Sequence, residues 1–292
     1  MIVKLLLGVL GALTLYFLFF FVKDVAANKE VMAQEQASWV KSGFIGAFVN
    51  FFDTLGIGSF APLTALLDFF KQLDHDRLLP GTLNVSCTIP VMTEAFIFIK
   101  LVKVDPVTLF AMVAAATVGS FVGSRTVSKL PEKKVQFYMG LALLVTAALM
   151  LLRQFGALDA LGTGNEAVAL TGIKLIIAVV INFFLGALMT IGVGLYAPCM
   201  ALVYMLGLNP LVAMPIMMAS CAGLMPVASA EFIKAGVYAR KSSIAITIGG
   251  IVGVFIAAKF VTGLPMNVLT IIITLVVIYT AVTYIRKSKA AA

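Results

Sequence analysis

The sequence predicts an all-α polytopic membrane protein built from two related halves, and three observations support this fold class. Hydrophobic residues make up 62% of the 292 residues and charged residues only 12%, a composition unlike that of a soluble domain. Apolar runs long enough to cross a bilayer recur along the chain, and because they are continuous rather than alternating they exclude a transmembrane barrel. A ten-residue motif occurs twice, at Asp53–Pro62 and at Met189–Pro198.

Both copies of the motif read Thr-apolar-Gly-apolar-Gly-x-aromatic-Ala-Pro. Glycine allows a positive φ or a close backbone approach, and proline suits the first turn of a new helix because it lacks an N–H that would go unpaired there. Each copy therefore predicts a break between two short helices. The alternative is a pair of packing glycines followed by a proline kink, but recurrence with intact spacing favours the break.

The chain in order begins with an apolar run at 5–22, which we interpret as a retained helix rather than a signal peptide cleaved near Ala26-Ala27. Further helices are expected at 43–57, 59–73, 82–101, 106–127 and 134–152, and at 169–190, 194–207, 210–236, 243–261 and 266–285. The expected divisions are an N-terminal membrane helix with a polar linker (1–42), a first repeat (43–153), a connector (154–168), a second repeat (169–286) and a cytoplasmic tail (287–292).

The basic residues of the loops orient these segments, because cytoplasmic loops are rich in lysine and arginine. Arg125 to Lys134, Arg240-Lys241 and the tail at 286–289 are expected inside, so the C-terminus is cytoplasmic. If each motif forms a re-entrant hairpin, the counterpart of the first of these loops, at Leu264-Pro265, lies outside and the two repeats are inverted. About 8–10 membrane segments result; counting the motif pieces as full spans also satisfies most charges, so the number of crossings stays open.

Several function classes lack their signatures in this sequence. The net charge of +8 lies in short loops without a basic patch interleaved with aromatics, so nucleic acid is not an expected partner. The one histidine, His75, and the three cysteines, which all lie in apolar segments, predict no metal site and no disulfide framework. No nucleotide-binding motif is present and no cofactor is expected. The expected partners are the lipid bilayer of the cell membrane, a small anion and, in a homo-oligomer, further copies of the chain.

Inverted repeats with interrupted helices are typical of secondary transporters, whose site lies at the repeat interface near the membrane midplane. The helix that begins after each break directs free N–H groups and a positive dipole end at that place, which favours an anion. No lysine or arginine lies within either motif, so the helix ends would supply the attraction. The candidate substrate-binding residues are Thr54, Gly56, Gly58, Ser59 and Pro62 in the first copy and Thr190, Gly192, Gly194, Pro198 and Cys199 in the second.

Three carboxyl groups in apolar surroundings, Asp53, Glu94 and Glu231, are candidates for proton coupling, because an ionisable group inside a membrane is costly and commonly functional. The alternative is that Lys100 or Lys234 neutralises each glutamate near a helix end, and that Asp53 is a solvated residue of the cavity. Two further candidates for substrate contact, Ser86-Cys87 and Ser220-Cys221, are also small enough to serve close helix packing.

The sequence resembles the sulfite exporter TauE/SafE family of permeases in three segments. These are Gly43-Phe44-Ile45-Gly46, Gly56–Leu63 and the second copy of the motif at Gly192–Pro198. The resemblance covers roughly 43–286 and treats 1–42 as an added segment. Members of that family usually have a longer glycine run, which Ser59-Phe60 and Leu195-Tyr196 interrupt here. The resemblance implies transport of sulfite, sulfoacetate, thiosulfate or related small anions across the plasma membrane.

Two other classes of protein are compared with this prediction. A passive anion channel would use the same helix ends but would not need buried carboxyl groups. An intramembrane enzyme would need a base beside Cys87 or Cys221, and no histidine lies near either one in the sequence, so an enzyme is not expected.

Overall fold

The computed structural model describes residues 2–98, 104–260 and 266–290, and these ranges are almost entirely helical. A short 3₁₀ turn spans Asp76–Leu78. Thirteen α-helices are described, here α1 to α13: Ile2–Ala27, Lys29–Gln34, Trp39–Thr54, Phe60–Phe69, Leu79–Phe98, Pro106–Val127, Glu132–Gln154, Ala157–Leu161, Gly172–Met189, Tyr196–Met205, Pro210–Ala235, Arg240–Phe260 and Met266–Ala290.

The helices confirm the predicted all-α polytopic membrane protein. Within the described ranges, six helices are long and apolar enough to cross a membrane, and they belong to α1, α6, α7, α9, α11 and α12. Helices α4 and α10, which follow the two glycine motifs, are apolar but only 10 residues long each. The expected 8–10 segments include such shorter pieces, so their number stays a prediction.

Most of the polar stretch at 24–42 within the N-terminal segment is helical. Helix α1 continues to Ala27, α2 follows, and α3 begins at Trp39 rather than at residue 43. The early start has a local cause: the Ser38 side chain accepts a hydrogen bond from the Lys41 N–H and so caps the helix. The connector likewise contains the short helix α8. The loop at Leu264-Pro265, which is the expected counterpart of the loop at Arg125 to Lys134, lies outside the described residues.

The main helix contacts run between the two halves of the chain. Each contact has a counterpart in which the two halves exchange places. Helix α3 packs along α12, and the corresponding pair, α9 and α6, packs in the same way. Helices α5 and α11 contact each other, as do α7 and α13, and the half-helices α4 and α10 contact α13 and α7 respectively. A two-fold relation between the halves requires this pattern. That the axis lies in the membrane plane, which would make the repeats inverted, stays a prediction.

Glycines allow two of these helix pairs to approach to backbone contact. A Cβ atom at Gly46, Gly249 or Gly253 would collide with the backbone of the facing helix in the α3–α12 pair. In the α6–α9 pair, a Cβ atom at Gly119, Gly123 or Gly186 would collide with the facing backbone in the same way. The backbones of these two helix pairs are therefore in direct contact.

The N-terminal segment is attached to the second half of the chain. Helix α1 packs on α11, and Asp24 near its end forms an ion pair with Arg240 at 2.8 Å. The Glu35 carboxyl accepts the backbone N–H groups of Arg240 and Lys241, both at 2.8 Å, and so caps α12. Burial raises the pKa of the Glu35 carboxyl, although the two donated N–H groups act in the opposite direction.

Candidate functional site

Each glycine motif interrupts a helix, as predicted. Helix α3 ends at Thr54 and α4 begins at Phe60, and between them Gly56 and Gly58 adopt positive φ angles of 86° and 92°. Helix α9 ends at Met189 and α10 begins at Tyr196, with Gly192 at a φ of 113°. Only glycine adopts such angles without strain, which is why the chain breaks here. Pro62 and Pro198 fall in the first turn of their helices, the turn in which proline is tolerated.

Both breaks line one small cavity of about 40 Å³. At ~10–15 Å³ for each water by this measure, it has room for about three water molecules or one small ligand of a few heavy atoms. The first half of the chain contributes Asp53, Ile57, Gly58, Ser59, Phe60, Ala61, Val91, Thr146, Leu149 and Met150, and the second half contributes Met189, Gly194, Leu195, Tyr196, Ala197 and Cys221.

The amides at the start of α4 and α10 belong to residues of this cavity. The first-turn N–H groups of a helix have no partner within it, and prolines carry none. Because Pro62 and Pro198 are the third residues of their helices, the remaining first-turn amides belong to Phe60 and Ala61 in α4, and to Tyr196 and Ala197 in α10. Two helix ends with partial positive charge therefore meet at one place.

Asp53 stands directly before the first break and is only 2% exposed. Its carboxyl group faces the hydroxyl and the backbone N–H of Ser59, the residue that precedes α4. Ser59 makes no side-chain cap to its own helix. Among the described residues that line the cavity, Asp53 is the one with a formally charged side chain. The start of α4 therefore already faces a carboxyl group of the protein itself.

Glu94 connects the two breaks. This carboxyl group is fully buried in α5, where one oxygen accepts the Thr54 hydroxyl at 2.9 Å and the other accepts the Tyr196 hydroxyl at 3.2 Å. Thr54 ends α3 and Tyr196 begins α10, so one side chain holds the motif of each half. Lys100, the expected neutralising partner of Glu94, lies outside the described residues.

An arginine from outside the motifs contacts the first break. Arg153, near the end of α7, donates a hydrogen bond from its guanidinium group to the Gly56 carbonyl. Met150 and Thr146, one and two turns earlier on the same helix, line the cavity. The arginine therefore brings a half-exposed positive charge to the break from outside the motif.

The other motif residues predicted to bind substrate are not among the described residues that line the cavity. Thr190 is buried, and its hydroxyl donates to the Ala187 carbonyl at 2.6 Å. Gly192 packs against Met139, and Cys199 is fully buried within α10. The structure therefore brings Gly58, Ser59 and Gly194 to the cavity wall, and Glu94 connects Thr54 to the wall residue Tyr196.

The remaining candidates divide between the cavity and helix contacts. Cys221 lines the cavity, whereas the Ser220 hydroxyl accepts a hydrogen bond from Asn182 at 3.2 Å. Cys87 is buried beside Ser59 and Asp53, and its neighbour Ser86 contacts it at 3.8 Å.

Glu231 lies apart from the other two carboxyl groups. It forms ion pairs with Arg125 at 2.6 Å and with Lys234 at 2.8 Å, and both cations are substantially exposed. This placement favours the alternative in which a lysine neutralises Glu231.

Two residues of the site, Tyr196 and Arg153, were missed in the sequence. Tyr196 matches Phe60 in the aligned motifs, so the additional hydroxyl at an otherwise apolar position was a usable signal. Arg153 carried no such signal, because it is 97 residues from Gly56 in sequence.

The architecture defines a multi-pass helical membrane protein with a small cavity between two interrupted helices. The family model described as "Sulfite exporter TauE/SafE" matches residues 1–151, more than half of the chain. The chain therefore belongs to the TauE/SafE family and is a membrane transporter. The matched range includes residues 1–42, which were expected to be an added segment, and it stops before the second glycine motif. Neither the curated proteins nor the solved structures contain a significant match to the chain.

Proposed function

We propose that this protein is a proton-coupled secondary transporter that moves a small sulfur-containing oxyanion, such as sulfite or an organosulfonate, across the plasma membrane. The observation that carries the proposal is the meeting of two helix N-termini at one cavity, with a buried carboxyl group, Asp53, facing the first of them. Family membership supports the class of substrate.

The two helix ends provide the anion site. Each end carries about half an elementary charge, so together they offset about one negative charge without a lysine or arginine in the cavity wall. Arg153 adds a positive charge at the first break, where it is half-exposed and suited to attracting an anion rather than holding it. Modest affinity results, and a transporter that must release its substrate benefits from it.

Asp53 provides the coupling. An ionised Asp53 competes with a substrate anion for the Ser59 hydroxyl and N–H, and two negative charges in one buried cavity repel each other. Protonation of Asp53 removes that repulsion and gives the carboxyl group an O–H to donate. One proton therefore accompanies each anion, and the flux follows the combined gradients of both.

Glu94 is the second carboxyl group of the mechanism. Its hydrogen bonds with Thr54 and Tyr196 hold the two breaks in a fixed relative position. A change of charge at one break therefore changes the position of the other. Glu231 is assigned to the ion pairs with Arg125 and Lys234 and takes no part in coupling.

The test is radiolabelled sulfite flux in proteoliposomes that contain the full chain. An imposed pH gradient should stimulate sulfite uptake by the wild type. Asp53→Asn should keep exchange of labelled for unlabelled sulfite but lose the stimulation. Asp159→Asn, which changes an exposed aspartate of α8, is the matched control and should behave as the wild type does.

Two outcomes would contradict the proposal. Sulfite flux that follows an imposed voltage and ignores the pH gradient would favour the passive channel. An Asp53→Asn protein that retains full pH stimulation would remove Asp53 from the mechanism.

A further inference from the structure

The cavity wall contains a pair of sulfur-bearing side chains that take no part in the proposed proton coupling. Met189 ends α9 and Cys221 lies within α11, and both are buried and line the cavity. The Cys221 thiol donates to the Met189 thioether at a sulfur–sulfur distance of 3.9 Å. Met150, from α7, is a third sulfur-bearing residue of the same wall.

The position of Met189 makes the pair informative. In the aligned motifs Met189 takes the place of Asp53, so the same position supplies a carboxyl group in the first half and a thioether in the second. One cavity thus receives oxygen and N–H groups from the first break, and polarisable sulfur from the end of α9 and from α11.

The two kinds of wall suit different atoms of a ligand. Thioether and thiol groups are polarisable but weak hydrogen-bonding partners. A ligand oxygen that is placed against them loses its hydration without gaining a strong donor, which is costly. A terminal sulfur atom of an anion is larger and more polarisable than an oxygen atom and accepts weaker hydrogen bonds, so it loses less on dehydration and gains more dispersion energy from the same contact.

We propose that Met189 and Cys221 are specificity-determining residues that favour an anion with an oxyanion group at one end and an unoxidised sulfur at the other. Thiosulfate is the simplest such anion, and sulfate is the matched anion in which oxygen replaces that sulfur. The inference rests on the proposed function: the oxyanion group lies against the starts of α4 and α10, and the terminal sulfur lies against the Met189–Cys221 pair.

The experiment measures competition against labelled sulfite exchange in proteoliposomes that contain the full chain. Unlabelled thiosulfate and unlabelled sulfate are compared as competitors, and the ratio of their half-inhibitory concentrations is the readout. Wild-type protein should prefer thiosulfate by about tenfold, the scale of one unmatched polar group. Met189→Leu with Cys221→Ser keeps side-chain volume close to the original and removes both sulfur atoms, and it should lower the preference about three- to tenfold.

The control is Met225→Leu, because Met225 is fully buried in α11 one turn after Cys221 and is not part of the cavity wall. This variant should leave the ratio unchanged. If the sulfur pair serves packing alone, the double variant will alter the rate of sulfite exchange or the melting temperature without altering the ratio.

The outcomes separate the two proposals. Absence of any sulfite exchange would contradict the proposed function. Normal sulfite exchange with equal competition by thiosulfate and sulfate, or a preference that the double variant retains in full, would overturn the role of Met189 and Cys221 alone.

Discussion

The two glycine breaks have the same sequence pattern but different backbones. In the first, Gly56 and Gly58 both adopt positive φ angles, whereas in the second only Gly192 does and Gly194, the counterpart of Gly58, does not. A repeated motif thus preserved the place of the break without preserving its conformation.

The side chains around the breaks differ more than their backbones. The first break has Asp53 and Ser59 in the cavity and Arg153 bound to its carbonyl. At the corresponding positions the second has Met189 and Leu195, and it contributes the Tyr196 hydroxyl. Each half of the chain supplies one helix start to the cavity, but the carboxyl group and the cation lie at the first break and the sulfur and the phenol at the second.

The largest expected effect comes from removing the connection between the breaks. Glu94→Ala should lower sulfite exchange about 100-fold, which corresponds to about 3 kcal/mol. The Tyr196 hydroxyl loses its acceptor, the Thr54 hydroxyl keeps only the Asn50 carbonyl, and a buried space opens between the breaks. Initial rates of labelled sulfite exchange provide the measurement.

Glu231→Ala is the matched control for Glu94→Ala. Its carboxyl group is paired with substantially exposed cations, so its loss should change exchange by less than about threefold. Equal losses in the two variants would show that Glu94 does not link the breaks.

An intermediate effect should separate the two backbones. Gly58→Ala should destabilise the protein by about 1–2 kcal/mol, because a Cβ atom is strained at a positive φ. Gly194→Ala should stay within about 0.5 kcal/mol, because no positive φ is required there.

The two glycine variants form a close comparison, since an added Cβ at either position would meet no atom within 4 Å. Thermal unfolding of the purified proteins in detergent gives the measurement. Equal melting temperatures would mean that the conformational difference between the breaks has no energetic weight.

The smallest effect is expected at Arg153. Arg153→Gln should weaken sulfite binding about two- to threefold at low ionic strength, and the difference should disappear at about 1 M salt, because a half-exposed charge is screened. Arg77→Gln is the control, since Arg77 also donates to a backbone carbonyl, that of Ser128, but lies outside the cavity wall. A loss that persists at high salt would place the guanidinium group in direct contact with the anion.

The sequence predicted those features that depend on neighbouring residues. Continuous apolar runs located the helices, and the Gly-x-Gly and proline spacing located both breaks, because these signals act through local backbone geometry. The start of α3 at Trp39 was missed although its Ser38 cap is local, since the expected start followed the apolar run that begins at residue 43.

The contacts that organise the site were not predictable in the same way. Glu94 and Tyr196 are 102 residues apart, and Glu231 and Arg125 are 106 apart. Both glutamates lie in apolar segments, and the local difference between them is that a lysine follows Glu231 after three residues, the spacing of a helical ion pair, whereas Lys100 follows Glu94 after six. The packing of α5 between the breaks, and of α11 beside α6, brings one glutamate to the two breaks and the other to exposed cations.

The glycine contacts of α3 with α12 and of α6 with α9 have a mechanical consequence. Each of these pairs joins a helix of the first half of the chain to a helix of the second at backbone distance, and such contacts do not yield gradually. We therefore expect any large movement to keep α3 with α12 and α6 with α9, rather than to move one half of the chain against the other. The order of the helices along the chain and the grouping that packing imposes on them are two different divisions of the same molecule.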